Sequence, residues 1–154
     1  MVPGQGERPG PIVAEAVRRA GLRAVVQAGW SELAVAGEHV LSIGEAPHSW
    51  LFPRMAAVVH HAGAGTAAAA LRAGVPAVAV PVLADQPFWA RRLHDLGVSP
   101  APIPMPKLDA DRLAAALRQV TTNPHHAARA RALSARIGAE DGVAPVLDWL
   151  GSGA

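Results

Sequence analysis

Apolar residues along the chain alternate between short, β-branched runs and longer stretches in which they recur every three or four positions. The runs at 22–27 (LRAVVQ), 40–43 (VLSI), 56–60 (AAVVH) and 76–80 (PAVAV) have the length and character of buried strands, the last bounded by prolines. Helical stretches lie between them. Pro11 sits in the first turn of a helix over 12–20 that Gly21 closes. A short helical turn is expected over 50–55, and an Ala-rich helix over 66–73 ends at Gly74. The stretch 85–96 places Phe88, Arg92 and Leu96 on one side before Gly97 stops it. Asp109 is placed to cap a helix carrying Leu113, Leu117 and Val120, and two more helices are expected over 125–137 and 143–150. Residues 1–10, rich in Gly and Pro, read as loop.

Short apolar strands alternating with helices are the pattern of an open parallel sheet wrapped on both faces, because parallel neighbours need crossovers of about a dozen residues. The expected fold is a Rossmann-like α/β domain, a single one spanning 1–154. In such sheets ligands bind beyond the carboxyl ends of the strands, which is where functional residues are to be sought.

Composition narrows the functions. A chain of 154 residues buries enough surface to fold without disulfides or a structural metal. The absence of Cys removes thiolate catalysis and every cysteine zinc site, and no His pair at i, i+4 or carboxylate cluster takes their place, so neither metal nor cofactor is expected. The pI of about 10.4 overstates the charge, since 14 basic residues against 12 acidic ones leave a net +2. Basic and acidic residues interleave without an aromatic stripe, which argues against a nucleic-acid partner. No apolar run approaches the roughly eighteen residues of a membrane span, and MVPGQGERPG lacks the regions of an export signal. A cytoplasmic location is expected.

One strand end carries chemistry. Val58-Val59-His60-His61-Ala62-Gly63-Ala64-Gly65-Thr66 is a strand running into a Gly-spaced turn that opens a helix. Gly63 and Gly65 permit close backbone approach, the first N–H groups of the helix are free, the helix dipole is positive there, and Thr66 adds a hydroxyl. A diphosphate fits this description, and so does a plain tight turn with no ligand; the segment by itself leaves both open. Because neighbouring strand residues face opposite ways, a ligand-facing His61 turns His60 toward packing or solvent, which argues against a catalytic or metal pair. His125 and His126, behind Pro124 in a first turn, read as solvated; Trp50, Phe52 and Trp89 read as core, and Trp149 as the anchor of the last helix.

The stretch from Ala46 to Leu96 resembles the donor-sugar signature of family 1 glycosyltransferases with the GT-B fold, above all the bacterial enzymes that glycosylate antibiotics, macrolides or sterols. The blocks Pro47-His48-Ser49-Trp50-Leu51-Phe52-Pro53-Arg54, His60-His61-Ala62-Gly63-Ala64-Gly65-Thr66, Leu71-Arg72-Ala73-Gly74-Val75-Pro76 and Asp85-Gln86-Pro87-Phe88-Trp89 stand in that family's order and spacing. The resemblance implies that His61 contacts the donor diphosphate, that Gly63, Gly65 and Thr66 form the turn binding it, and that Asp85 and Gln86 hydrogen-bond the sugar. It also implies that His48 sits where the backbone holds the nucleobase edge and Trp30 near its aromatic platform. Asp85 has a second reading as an N-cap. The chain departs from the pattern at Ala62, where the usual residue is Gly, and at Ala69, where many plant members carry a Glu.

The resemblance covers only the C-terminal half of a GT-B enzyme, from residue 24 onward. The function it implies is that of the UDP- or dTDP-sugar-binding half of an inverting glycosyltransferase that transfers a hexose to a small-molecule hydroxyl. The N-terminal half, in the same chain or a separate subunit, would supply the acceptor pocket and the catalytic base, so none of the catalytic residues is expected here and the domain alone should be inactive. A non-catalytic remnant or interaction module is the alternative. The first strand of the donor domain also has no counterpart, which in a 3-2-1-4-5-6 sheet leaves a place between 22–27 and 56–60. Three outcomes are open: the two strands pair directly, residues near Met1 fill the place, or a strand from another chain does, with self-association or partner dependence as the expectation.

Overall fold

The computed structural model describes residues 9–27, 35 and 37–152 of the chain. Helix α1 (Pro9–Ala20) leads into strand β1 (Ala24–Gln27), and β2 (Val40–Ile43) follows. Next come α2 (His48–Leu51), a 3-10 turn at Phe52–Arg54, β3 (Val58–His60), α3 (Ala64–Ala73) and β4 (Ala77–Ala79). The chain closes with α4 (Gln86–Asp95), α5 (Ala110–Thr122), α6 (Pro124–Gly138) and α7 (Ala144–Gly151). All the expected strands and helices are present, the strands mostly shorter than their apolar runs. Helix α1 begins inside the segment read as loop, because prolines 9 and 11 fall in a first turn, where no backbone N–H is required. Gly74 ends α3 in a left-handed conformation, φ 69°, and Asp109 caps α5 by accepting a 2.8 Å hydrogen bond from the Arg112 N–H.

The strands are parallel, as expected, and form two separate pairs. β1 lies beside β2 with Ala24 opposite Val40, and β3 beside β4 with Val58 opposite Ala77. An extended segment flanks β4, the Ala77 N–H bonding the Val98 carbonyl and the Ile103 N–H the Ala79 carbonyl. The Ala24 N–H points to His39 and the Val58 N–H to Pro76, so the backbone groups of Val25 and Gln27 on one side, and of Ala57 and Val59 on the other, face away from their paired strands. Among the described residues no strand stands between β1 and β3 and the two do not pair with each other. Direct closure is therefore excluded among the three outcomes, and residues near Met1 lie outside the described ones.

Helices cover both faces. One core joins Ala16 and Val17 of α1 to Val78 of β4, Ile103, and Leu113, Leu117 and Val120 of α5. On the other face Leu51, Phe52, Val58, Ala70, Val75 and Ala77 cluster, with Val25 and Ile43 packed against them. A third cluster, Ala67, Leu93, Val98 and Ala130, ties α3, α4 and α6 together. Val59 is an exception: on a strand between helical layers it remains 45% exposed.

Three expectations are corrected here. His126 is buried, because α6 docks on the Gly97 turn and its Nδ1 lies 2.9 Å from the Gly97 carbonyl oxygen; His125 is exposed as expected. Trp50 is exposed, its ring covered by the Arg54 guanidinium 4.5 Å from the centroid, whereas Phe52 is core. Trp149 anchors nothing among the described residues: it is 74% exposed, and Val143, Val146, Leu147 and Leu150 are exposed with it. Helical spacing identifies an apolar face but not what covers it. No described helix is long and apolar enough to cross a membrane.

Candidate functional site

The residues singled out by sequence follow the carboxyl ends of three parallel strands. His48 opens α2 after β2, residues 61–66 join β3 to α3, and Asp85 and Gln86 open α4 after β4. Trp30 lies outside the described residues.

The β3–α3 turn is built by its side chains. Alternation along β3 holds as expected: Val58 and His60 face inward, and His61, just past the strand, is exposed. The chain then reverses at Ala62, which takes φ +63° although it has a Cβ and is fully buried. A non-glycine residue held in the left-handed region costs on the order of 1 to 3 kcal/mol. The Ala62 N–H donates to Nδ1 of His60 at 2.9 Å, so Nδ1 carries no proton and the imidazole proton sits on Nε2. Burial, with His61 and His48 nearby, pushes the His60 imidazole down to about 4, which keeps it neutral. Among the described residues its Nε2 is buried without a partner, an arrangement that costs about 1 to 3 kcal/mol.

Beyond Ala62, extended Gly63 precedes α3 and its carbonyl accepts the Ala67 N–H at 2.9 Å. The N–H groups of Ala64, Gly65 and Thr66 come before that first helical bond and have no acceptor within the helix. The His61 ring folds over Gly63: a Cβ there would lie 2.5 Å from His61 Nε2. A side chain at 63 would push this exposed ring aside, so glycine leaves room for the ring where it lies. At Gly65 a Cβ would meet nothing within 4 Å, leaving an open approach to the backbone.

Helix α4 borders this turn. Ala62 packs with Ala79 of β4 and Ala90 of α4, with Trp89 against them. Asp85 stands at the N-cap of α4, its carbonyl accepting the Trp89 backbone N–H at 3.2 Å, but its side chain makes no capping bond: Oδ2 accepts from the Trp89 indole N–H at 2.8 Å, and Oδ1 has no partner among the described residues. The Gln86 Oε1 accepts from the Val82 and Leu83 N–H groups at 2.8 and 3.1 Å, fixing the preceding loop, in which Ala84 has φ +56°. Its side-chain amide N–H groups have no acceptor among the described residues. At the third strand end His48 stacks on Phe52, ring centroids 4.4 Å apart.

Two cavities lie elsewhere, one of about 480 Å³ between α1 and residues 37–40, another of about 500 Å³ under the α5–α6 junction. Around the buried Ala62, His61, Ala64, Gly65 and Asp85 are exposed. Sequence reasoning missed the His60–Ala62 bond and the left-handed Ala84. For the first, an alanine where the resembled pattern has glycine was the visible signal; the second has none.

Parallel strands with ligand-competent turns at their carboxyl ends make this a Rossmann-like α/β domain. Residues 24–147 match the C-terminal domain of erythromycin biosynthesis protein CIII-like proteins, and the chain belongs to that family, a C-terminal domain of family 1 GT-B glycosyltransferases. It is 47% identical over 130 residues to an O-mycaminosyltylonolide 6-deoxyallosyltransferase of Streptomyces fradiae, covering 84% of this chain and 31% of that protein. It is 41% identical over 149 residues to a sterol 3-beta-glucosyltransferase of Eremothecium gossypii, covering 90% of this chain and 12% of that one. The structure of the glycosyltransferase VinC in complex with dTDP superposes with a TM-score of 0.74 at 28% identity, over 91% of this chain and 37% of VinC. The chain thus spans between 12% and 37% of the length of these relatives.

Proposed function

We infer that the chain is the donor-binding half of an inverting glycosyltransferase that carries a hexose from a UDP- or dTDP-sugar to a hydroxyl of a hydrophobic small molecule. The observation that carries this reading is the turn in which the His61 ring lies over Gly63 beside the free N–H groups opening α3, in a domain family with a relative solved with dTDP. In the parent reaction the acceptor oxygen attacks the anomeric carbon as the bond to the diphosphate oxygen breaks. Negative charge grows on the departing diphosphate, and His61, the N–H groups of Ala64, Gly65 and Thr66, and the positive end of the α3 dipole are fixed where they stabilise it. Asp85 through Oδ1 and Gln86 through its amide N–H groups would hold sugar hydroxyls. The stacked His48 would present its backbone to the base.

Deprotonating the acceptor requires a base placed on its hydroxyl, and stabilising the leaving group is most effective away from water. An open surface supplies neither, so the acceptor pocket and base belong to further polypeptide, and the domain alone binds donor without transferring sugar. UDP or dTDP should raise the melting temperature by mass action, while His61→Ala, at an exposed position, should blunt that rise with little change in the unliganded value. A melting temperature indifferent to both nucleotides would leave the non-catalytic module as the reading.

A further inference from the structure

His60 does more than pack. A purely apolar side chain would fill the same space without an Nε2 that has no partner among the described residues, and Ala62 would relax from its left-handed conformation if nothing held its amide. We propose that His60 is a positioning residue whose Nδ1, by holding the Ala62 N–H, fixes the turn that aims the opening N–H groups of α3 and seats the His61 ring over Gly63. The proposal rests on the nucleotide-binding reading of that turn. The latch grips from two sides: the amide of Ala62 is bonded at 2.9 Å, while its methyl is packed against Ala79 and Ala90. The methyl explains how alanine serves here, since it ties the phosphate-facing turn to the helix that carries Gln86, and the imidazole acceptor supplies the hold that a glycine would not need.

The distinguishing experiment titrates UDP and dTDP into wild type, His60→Leu, His60→Asn, Ala62→Gly and the His60→Leu/Ala62→Gly double variant. Leu keeps the apolar volume but accepts nothing; Asn places an oxygen close to where Nδ1 stood. Releasing the strained turn should weaken His60→Leu about tenfold or more, while His60→Asn stays within about threefold of wild type. Glycine reaches positive φ freely, so the double variant should recover most of the lost affinity even though its imidazole is still missing. A residue that only fills space would not be rescued in this way. Wild-type affinity in His60→Leu, equal losses in His60→Leu and His60→Asn, or no recovery in the double variant would each overturn the proposal. Imidazole nitrogen NMR of wild type gives an answer independent of nucleotide and of whether a variant folds: an unprotonated Nδ1 bonded to the Ala62 amide is required, and a proton on Nδ1 overturns the latch. Should wild type bind neither nucleotide, the functional reading fails, and the latch is then decided by that tautomer.

Discussion

His60 and His61 are adjacent in sequence and opposite in circumstance. His61 is exposed and shaped by a glycine; His60 is enclosed, neutral, and engaged through one nitrogen. Burial, then the neighbouring His61 and His48, lower the imidazole of His60 from 6.5 to about 4. In the unfolded chain the group recovers its ordinary affinity for protons, so between 6.5 and about 4 the unfolded state binds the proton that the folded state refuses. Stability is therefore complete above that window and falls as pH drops through it, by an amount on the order of 3 kcal/mol. Urea unfolding at about pH 7 and about pH 4.5 should show this loss, and His60→Leu should remove most of the difference. An unchanged pH slope in that variant would mean that other groups carry it.

At the scale of elements, α3 makes a claim about ligand length. Its first turn offers several backbone donors in a row, backed by the dipole and flanked by His61, which suits a diphosphate better than a monophosphate. Calorimetry should find UDP clearly tighter than UMP, and dTDP than dTMP; equal affinities would remove α3 from the site. Much of this element was legible beforehand, because the Gly-spaced turn is contiguous and its meaning is local. The same is true of Asp109, whose capping role follows from its place before Leu113, Leu117 and Val120. What escaped depends on distant partners or on dihedral angles. The burial of His126 requires the Gly97 turn to arrive from elsewhere in the chain, and the exposure of Trp149 reflects the lack of a described covering surface. The hold of His60 on Ala62 hinges on a sign of φ that no periodicity encodes. Asp85 takes the N-cap position that its residue type suits, yet the Trp89 indole one turn later claims its carboxylate.

At the scale of the molecule the four described strands divide into halves, β1 with β2 and β3 with β4. Among the described residues the backbone groups of Val25, Gln27, Ala57 and Val59 face away from their paired strands and leave two parallel edges. Edges of this kind pair readily with another extended segment. Light scattering of the chain should therefore show concentration-dependent association. A strictly monomeric chain would mean that its own residues already occupy these edges.

That division also bears on how the domain comes apart. The first half is held to the second by side chains: α1 against α5, where Arg19 meets Asp111 and Arg118 reaches the Arg19 carbonyl, and Val25 and Ile43 against the cluster around Val58. With no described ladder crossing between them, α1, β1 and β2 have the makings of a separate cooperative unit, a foldon able to open while β3, β4 and the helices around them stay closed. Amide protons of Val26 and Leu41 would then exchange with solvent through a cheaper excursion than that of Val78, and the turn at residues 61–66, which belongs to the more durable half, would outlast the loss of its neighbour.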